Sequence, residues 1–526
     1  MIINYLTNNK KTETETDRED IINMLRALGP CQDVYYRLLI HYAVRYADYP
    51  PIAIGNFKIF STNDPRSSMQ AVHQILEAVY PEVSDRLDFL RGFRDYFPEG
   101  QTNDGTNPRV CSLLLAYYLF MNKEYEASLQ HIQDALKIHS GCILSSHMYG
   151  EIMRLRGDPR ELSLTGKFCT DPFDSVLISN DGSVHLCCPS NMPIIVGNVY
   201  QQTFEEIWNS DIAQEIRHSI HDGSFRYCNR IFCSKLYDKI LPKETLIMDS
   251  KFELIIEQRK IKLDPNCLEL ACTGHDWTCN LKCASCRKDF YEPTEEQSRK
   301  LETATERVII PIMKYAKTFH ISGGEPFASK YSRDILMRLN AQDFPHLHTL
   351  GINTNGVLLT ERQWEQIKNI EYLNIEVSVS VDAATEKTYN IVRSGGNWRQ
   401  LNDNLRFLSR LRHEKIIGVL KVNFVVQDHN FREIHAFVEL GLSLGCDQIR
   451  FIKIFNAGTF TEEEFNQRSV FDSKHPNFQE LLTCLQDPIL VKNKEQIAFI
   501  AFEDLFLKAG LEIQPAESQN SLPLFI

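Results

Sequence analysis

Cys279-Asn280-Leu281-Lys282-Cys283-Ala284-Ser285-Cys286, set just after the apolar stretch Leu268 to Thr273, is the segment from which the rest of the chain can be read. Three thiols at C-x3-C-x2-C spacing suit three irons of an iron–sulfur cube and leave the fourth iron without a protein ligand. Electron-transfer clusters use four cysteines. An iron left open can bind a small molecule through amino and carboxylate groups, as a catalytic zinc keeps a position open for substrate. The same spacing also suits a zinc site completed by Cys272 or His275.

Outward from this loop, strand and helix patterns alternate over about 265 to 455. Apolar, β-branched runs predict strands at Leu268 to Thr273, Thr318 to Ile321, Thr349 to Asn353, Asn374 to Val381, Val419 to Val426 and Gln448 to Ile454. Helical spacing predicts helices at Glu295 to Tyr315, Ser332 to Asn340, Glu361 to Asn369, Trp398 to Arg412 and Phe431 to Leu444. Six such repeats with right-handed crossovers give an α/β fold with a parallel sheet curved into a partial (β/α)6 barrel. Chemistry in such barrels sits at the C-terminal ends of the strands.

Further polar motifs fall at those ends. After the second strand stands Ser322-Gly323-Gly324-Glu325-Pro326. Its glycines let backbone approach a ligand, and Glu325 can accept a hydrogen bond from a cationic amine. The fourth strand ends in Ser380-Val381-Asp382, with Arg393 farther on. Hydroxyl and carboxylate suit ribose, and a guanidinium fork suits a carboxylate. Arg393 in a surface salt bridge is the alternative.

With these motifs, residues 265 to 455 resemble the radical S-adenosylmethionine (SAM) superfamily. The resemblance implies a SAM-binding [4Fe–4S] cluster on Cys279, Cys283 and Cys286. It also implies the SAM amino group at Gly323, Gly324, Glu325 and Pro326, its carboxylate at Ser380 and Arg393, and its ribose at Asp382. One-electron cleavage of SAM then yields a 5′-deoxyadenosyl radical that abstracts hydrogen from substrate, with an electron donor such as flavodoxin or ferredoxin. Asn353-Thr354-Asn355-Gly356 also matches the family, in a structural role. Ser285 departs from the aromatic residue usual before the third cysteine, so adenine needs other contacts, with Phe451 or Ile452 as candidates.

A second cysteine group lies at 165 to 248. The hairpin Ser175 to Ile178 and Ser183 to Leu186 turns on Asn180-Asp181-Gly182, and Thr203 with Glu206 forms a capping box for a helix to Ser219. Around these stand Cys169, Cys187, Cys188, Cys228 and Cys233. Together with Gly197-Asn198 and Glu206-Ile207-Trp208 they resemble the auxiliary iron–sulfur module called SPASM, in a single-cluster form placed before the barrel. The resemblance implies a second [4Fe–4S] cluster on Cys169, Cys187, Cys228 and Cys233. A zinc-ribbon-like site is the alternative for these thiols. Cys267, Cys272 and the scattered cysteines read as core residues by default.

The stretch from about 20 to 160 reads as helical, including Tyr35 to Tyr46 and Val110 to Met121. Ala116, Leu119, Tyr125, Ser128, Ile132 and Ala135 resemble one tetratricopeptide unit, with Gly150 at the repeat period. The expected organisation is therefore 1–164 helical and tetratricopeptide-like, 165–248 an α+β cysteine-rich module, 249–458 the barrel and 459–526 an extension with another helical segment, a polar end and no motif.

The 526 residues are 43% apolar and 24% charged, with a formal net charge of -12. This composition suits a folded chain and counts against broad attraction to nucleic acid or anionic membrane. Met1 to Asp20 lacks the pattern of a signal peptide, and no apolar run reaches membrane-spanning length. A cytoplasmic setting is expected, where fifteen cysteines are better suited to metal than to disulfides. The expected activity is that of an oxidoreductase or transferase acting on a peptide or protein side chain. Oxidation or epimerisation of a small metabolite such as an amino-sugar or cyclitol is the alternative, and a non-catalytic iron–sulfur scaffold a third reading.

Overall fold

The computed structural model describes residues 53–54, 57–58, 82–96, 107–138, 143–156, 164, 166–230, 233–237, 240–456, 459–502 and 505. The expected helix at Tyr35 to Tyr46 and the end of the tail lie outside them. No helix among the described residues is long and apolar enough to cross a membrane. The chain divides into two compact units, one of Met1–Cys169, Pro189–Ile194 and Glu215–Arg259, the other of Thr170–Cys188, Ile195–Gln214 and Lys260–Ile526.

The first unit contains helices α1 (Val83–Tyr96), α2 (Asn107–Met121), α3 (Tyr125–Ile138) and α4 (Ile143–Leu155). Ala116, Leu119 and Ile132 are buried between neighbouring helices, and the buried Ser128 hydroxyl donates to the Ala116 carbonyl at 2.7 Å. This is the helix–turn–helix arrangement expected around Ala116 to Ala135. A short antiparallel pair, β1 (Ala53–Ile54) and β2 (Phe57–Lys58), interrupts the stretch read as wholly helical.

In the second unit ten strands form one sheet, in the order Ile497–Ile500, Gln448–Lys453, Val419–Val426, Asn374–Ser380, Thr349–Thr354, Thr318–Ile321, Leu270–Thr273, Ser175–Ile178, Ser183–His185 and Gly197–Asn198. Strands β6 (Leu270–Thr273), β7 (Thr318–Ile321), β8 (Thr349–Thr354), β9 (Asn374–Ser380), β10 (Val419–Val426) and β11 (Gln448–Lys453) are the six read from sequence. All neighbours among them are parallel. The sequence hairpin is β3 (Ser175–Ile178) and β4 (Ser183–His185), with β5 (Gly197–Asn198) beside it. Gly182 takes φ +80 in its turn, as Asp-Gly requires. β3 pairs in parallel with β6, so the hairpin continues the main sheet.

The tail carries helices at Glu462–Arg468, Phe478–Leu485 and Pro488–Lys492, where a helical segment was expected, and a strand as well. β12 (Ile497–Ile500) pairs in parallel with β11 and adds a strand at the other edge. The helix expected from Glu295 to Tyr315 is broken by a π-helical segment, Thr305–Ile309, ahead of Pro311. Proline has no N–H to offer the preceding turn, and a π-bulge absorbs that loss.

Alternation gives the sheet two chemically distinct faces. Phe424, Phe437 and Phe451 pack together where helix α5 (Ile434–Ser443) covers β10 and β11. The opposite face carries His320, Glu376, Ser378, Ser380, Lys421, Asn423 and Arg450. A polar face in the middle of a sheet is where a site belongs.

Candidate functional site

The loop after β6 carries Cys279, Cys283 and Cys286, and each sulfur is approached by N–H groups. Leu281 N lies 3.4 Å from Cys279 Sγ, and Asn355 Nδ2 lies 3.9 Å from it. Arg393 Nη1 is 3.8 Å from Cys283 Sγ, and Arg287 Nη2 is 3.8 Å from Cys286 Sγ. Such donors favour thiolate over thiol. Burial acts the other way, raising Cys279 to about 11 and lifting Cys283 despite Arg393 beside it. Positive charge bound at these sulfurs would favour the thiolates, and the irons of a cluster would supply it. Among the described residues no set of three or more His, Cys, Asp or Glu side chains is gathered closely enough to hold a single metal ion.

The Gly-Gly-Glu-Pro loop follows β7 and lies against the backbone that leads into the cysteines. Gly324 N donates to the Asp276 carbonyl at 2.8 Å, and Glu325 N to that of Thr278 at 2.7 Å. A Cβ on Gly324 would stand 2.0 Å from the Thr278 oxygen, and one on Gly323, at φ +106, 2.5 Å from that of Asp276. The glycines are thus required by contact between two protein loops, in addition to any ligand. Gly323 remains exposed on its other side, and Pro326 is buried.

Glu325 is 1% exposed, and its carboxylate accepts from Thr354 Oγ1 at 2.7 Å, Asn355 N at 2.6 Å and Phe327 N at 3.2 Å. Burial raises its pKa against these three donors. Arg393 is no surface residue: its side chain is 14% exposed and lies 2.7 Å from Asp382 Oδ2. Burial opposes its charge, yet Asp382 and Cys283 hold its pKa above the usual arginine value. Asp382 Oδ1 accepts from Val425 N at 2.7 Å, so both Asp382 oxygens are engaged. Ser380 stands half-buried at the end of β9.

Two candidates fall away. Phe451 is fully buried on the helix-covered face, stacked on Phe499, and so cannot meet an adenine on the polar face. Ile452, one residue on, points the other way. His275, a candidate for completing a zinc site, is 2% exposed, with Nδ1 2.6 Å from Thr273 Oγ1 and Nε2 3.4 Å from Thr305 Oγ1. Cys272 is buried in β6.

Sequence reasoning gave Asn355 a structural role only, and passed over Arg287 and Tyr389. Arg287 adjoins the cysteine motif already noted, which was the available signal. Tyr389 is fully buried, its hydroxyl has no hydrogen-bond partner among the described residues, and Arg393, Cys283, Asp382 and Glu325 act on it electrostatically.

Of the second cysteine group, Cys169, Cys228 and Cys233 belong to the first unit, and Cys187 and Cys188 to the second. Cys187 Sγ is 3.6 Å from Asp171 Oδ2. The capping box of Thr203 and Glu206 is present, on a helix that ends at Trp208 and resumes at Asp211.

Comparison with known proteins places names on both regions. Residues 278–441 match the family model of the radical SAM superfamily, and residues 169–234 that of SPASM, an iron–sulfur cluster-binding domain. A probable GTP 3′,8-cyclase of Saccharolobus islandicus is 24% identical over 188 residues, 34% of this chain and 55% of that protein. A GTP 3′,8-cyclase of Vibrio atlanticus is 24% identical over 206 residues, 38% and 55% respectively. The chain thus spans about half the length of the curated relatives it matches. Streptococcus suis SuiB bound to S-adenosylmethionine gives a TM-score of 0.32 at 16% identity, over 59% of this chain and 68% of that one. Native anSMEcpe with bound AdoMet and Cp18Cys peptide gives 0.32 at 17%, over 44% and 62%. These structural likenesses are too slight to bear on substrate. The chain is thus similar to the radical SAM superfamily over residues 278–441 and to SPASM iron–sulfur domains over residues 169–234, two matches that indicate iron–sulfur clusters and S-adenosylmethionine as cofactors.

Proposed function

We propose that the chain cleaves S-adenosylmethionine reductively and directs the resulting radical at a peptide or protein side chain. The observation that carries this reading is a pair of opposite charges beside the cysteine loop. Glu325 is buried and Arg393 nearly so, the first a counter-charge for an ammonium and the second a fork for a carboxylate. SAM carries both groups on one carbon. A buried charge is costly unless a partner neutralises it.

Cys279, Cys283 and Cys286 hold the cluster, and the edge of the loop Gly323 to Pro326 receives the amino group, with Glu325 as its counter-charge. Ser380 and Arg393 receive the carboxylate. Asp382, with both oxygens engaged, holds Arg393 in place, and the ribose is left to other groups on the polar face. When bound, the cluster supplies one-electron cleavage of the sulfonium and, through it, hydrogen abstraction from substrate. Cys169, Cys187, Cys228 and Cys233 hold the second cluster, and a small electron carrier such as flavodoxin or ferredoxin delivers the electrons.

The peptide reading draws on the SPASM module, whose carriers often act on peptides, and on the helix–turn–helix of α2 and α3 as a docking element. A small-molecule substrate is the second reading, favoured by sequence relatives named GTP 3′,8-cyclase. The test of the cofactor assignment is Glu325→Gln. It should keep its iron and lose at least about tenfold in SAM affinity by equilibrium dialysis; unchanged affinity would remove Glu325 from the site.

A further inference from the structure

Arg450 lies in the polar face of the sheet without an ion-pair partner among the described residues. Its residue is 6% exposed, its Nε is buried without a hydrogen-bond partner, and no carboxylate among the described residues pairs with it. Burial lowers its pKa, and Glu376 is the carboxylate that acts on it electrostatically. Glu376, however, is already paired with Lys421 at 2.9 Å. His320, on the same face, is neutral at ordinary pH because burial lowers its pKa to about 4. Glu376 and Lys421 cancel, so the charged side chains that β7 to β11 place on this face leave one unmatched positive charge, at Arg450.

Its position is informative as well. Asn423 pairs in register with Ser380 on one side and with Arg450 on the other. The three residues therefore form one row across β9, β10 and β11, in which Arg450 is two strand spacings, roughly 10 Å, from Ser380. Ser380 marks the proposed carboxylate end of SAM, so Arg450 faces the space beyond it. The Asn423 side-chain oxygen is also buried without a hydrogen-bond partner among the described residues. A buried, unpaired guanidinium destabilises a fold unless a ligand completes it.

We propose that Arg450 receives a carboxylate of the substrate, an acidic side chain or a C-terminus in the peptide reading. This rests on the radical SAM assignment of the polar face. A monoanion matches the single unmatched charge, and a guanidinium fork binds a carboxylate through two parallel hydrogen bonds.

The test uses the full-length, cluster-loaded protein saturated with SAM. N-acetyl-glutamate α-amide and its neutral isostere N-acetyl-glutamine amide are titrated by calorimetry. The wild type should bind the acid at least about tenfold more tightly than the amide. Arg450→Gln should lose that preference while its SAM affinity stays within about twofold. Arg450→Lys, which keeps the charge without the fork, should retain part of it. Equal binding of acid and amide by the wild type overturns the proposal. So does a preference that survives in Arg450→Gln with SAM affinity lost, since the guanidinium would then serve the cofactor. Stronger binding of inorganic phosphate than of the acid overturns the carboxylate assignment. Failure of the wild type to bind SAM at all would instead overturn the cofactor assignment.

Discussion

Arg393 and Asp382 meet at 2.7 Å in the interior, with Asp382 held in a left-handed backbone conformation at φ +61. Aspartate tolerates that conformation better than most residues, and its place there turns the carboxylate toward the start of the loop after the helix Glu386–Val392. Removing the partner of a buried charge costs on the order of 3–5 kcal/mol. Asp382→Ala should therefore lower the urea midpoint by that equivalent and weaken SAM binding together with it. Asp382→Asn, which keeps the shape, should fold better and still bind SAM weakly. Normal SAM affinity in both variants would show that Arg393 does not need this partner.

Gly324→Ala should fail differently. Its Cβ would collide with backbone at 2.0 Å, and backbone on both sides cannot yield as a flexible side chain can. A cost of at least about 3 kcal/mol is expected, at the upper end of overpacking penalties. The loop carrying Cys279 should shift with it, so iron content after reconstitution should fall as well as SAM binding. Full iron loading with only SAM affinity lost would place the role of Gly324 at the ligand alone.

The strands that frame the site were readable because each is a run of β-branched and apolar residues bounded by turn formers, and the cysteine spacing is itself the chemistry. What was not readable depends on partners distant in sequence. β3 pairs with β6 across some ninety residues, and no local pattern in Ser175–Ile178 announces that neighbour. β12 is four residues of a tail read as a helical segment with a polar end, and they become a strand only because β11 offers an edge. Arg393 and Asp382 were both singled out, but not as a pair, since the pairing depends on the backbone turn at Asp382. Arg450 carried no motif; only burial without a partner sets it apart.

Acid should reveal His320. Its ring lies over Gly351, where a Cβ would be 1.6 Å from Nδ1, and burial lowers its pKa from 6.5 to about 4. Below 6.5 the unfolded chain takes up a proton that the folded chain refuses until about 4. This contribution is complete above the unfolded pKa and is lost as pH falls, by about 2 kcal/mol at about pH 5. Urea midpoints at about pH 7.5 and about pH 5 should differ more for the wild type than for His320→Asn. An equal difference in the two proteins would mean that His320 titrates normally.

Metal content tests the second cysteine group. With three thiolates on one cube and four on another, anaerobic reconstitution should give about eight irons per chain. The variant with Cys169, Cys187, Cys228 and Cys233 all changed to alanine should retain about four and keep its SAM binding. Zinc at these positions in place of iron would make the module a structural ribbon.

The central claim is tested most directly by the product of SAM cleavage. Reconstituted anaerobically and given dithionite and SAM, the wild type should release 5′-deoxyadenosine, measured by liquid chromatography. The variant with Cys279, Cys283 and Cys286 changed together to alanine should release none above the protein-free control. Cleavage that persists in the triple variant, or its absence in a fully iron-loaded wild type, would contradict the account.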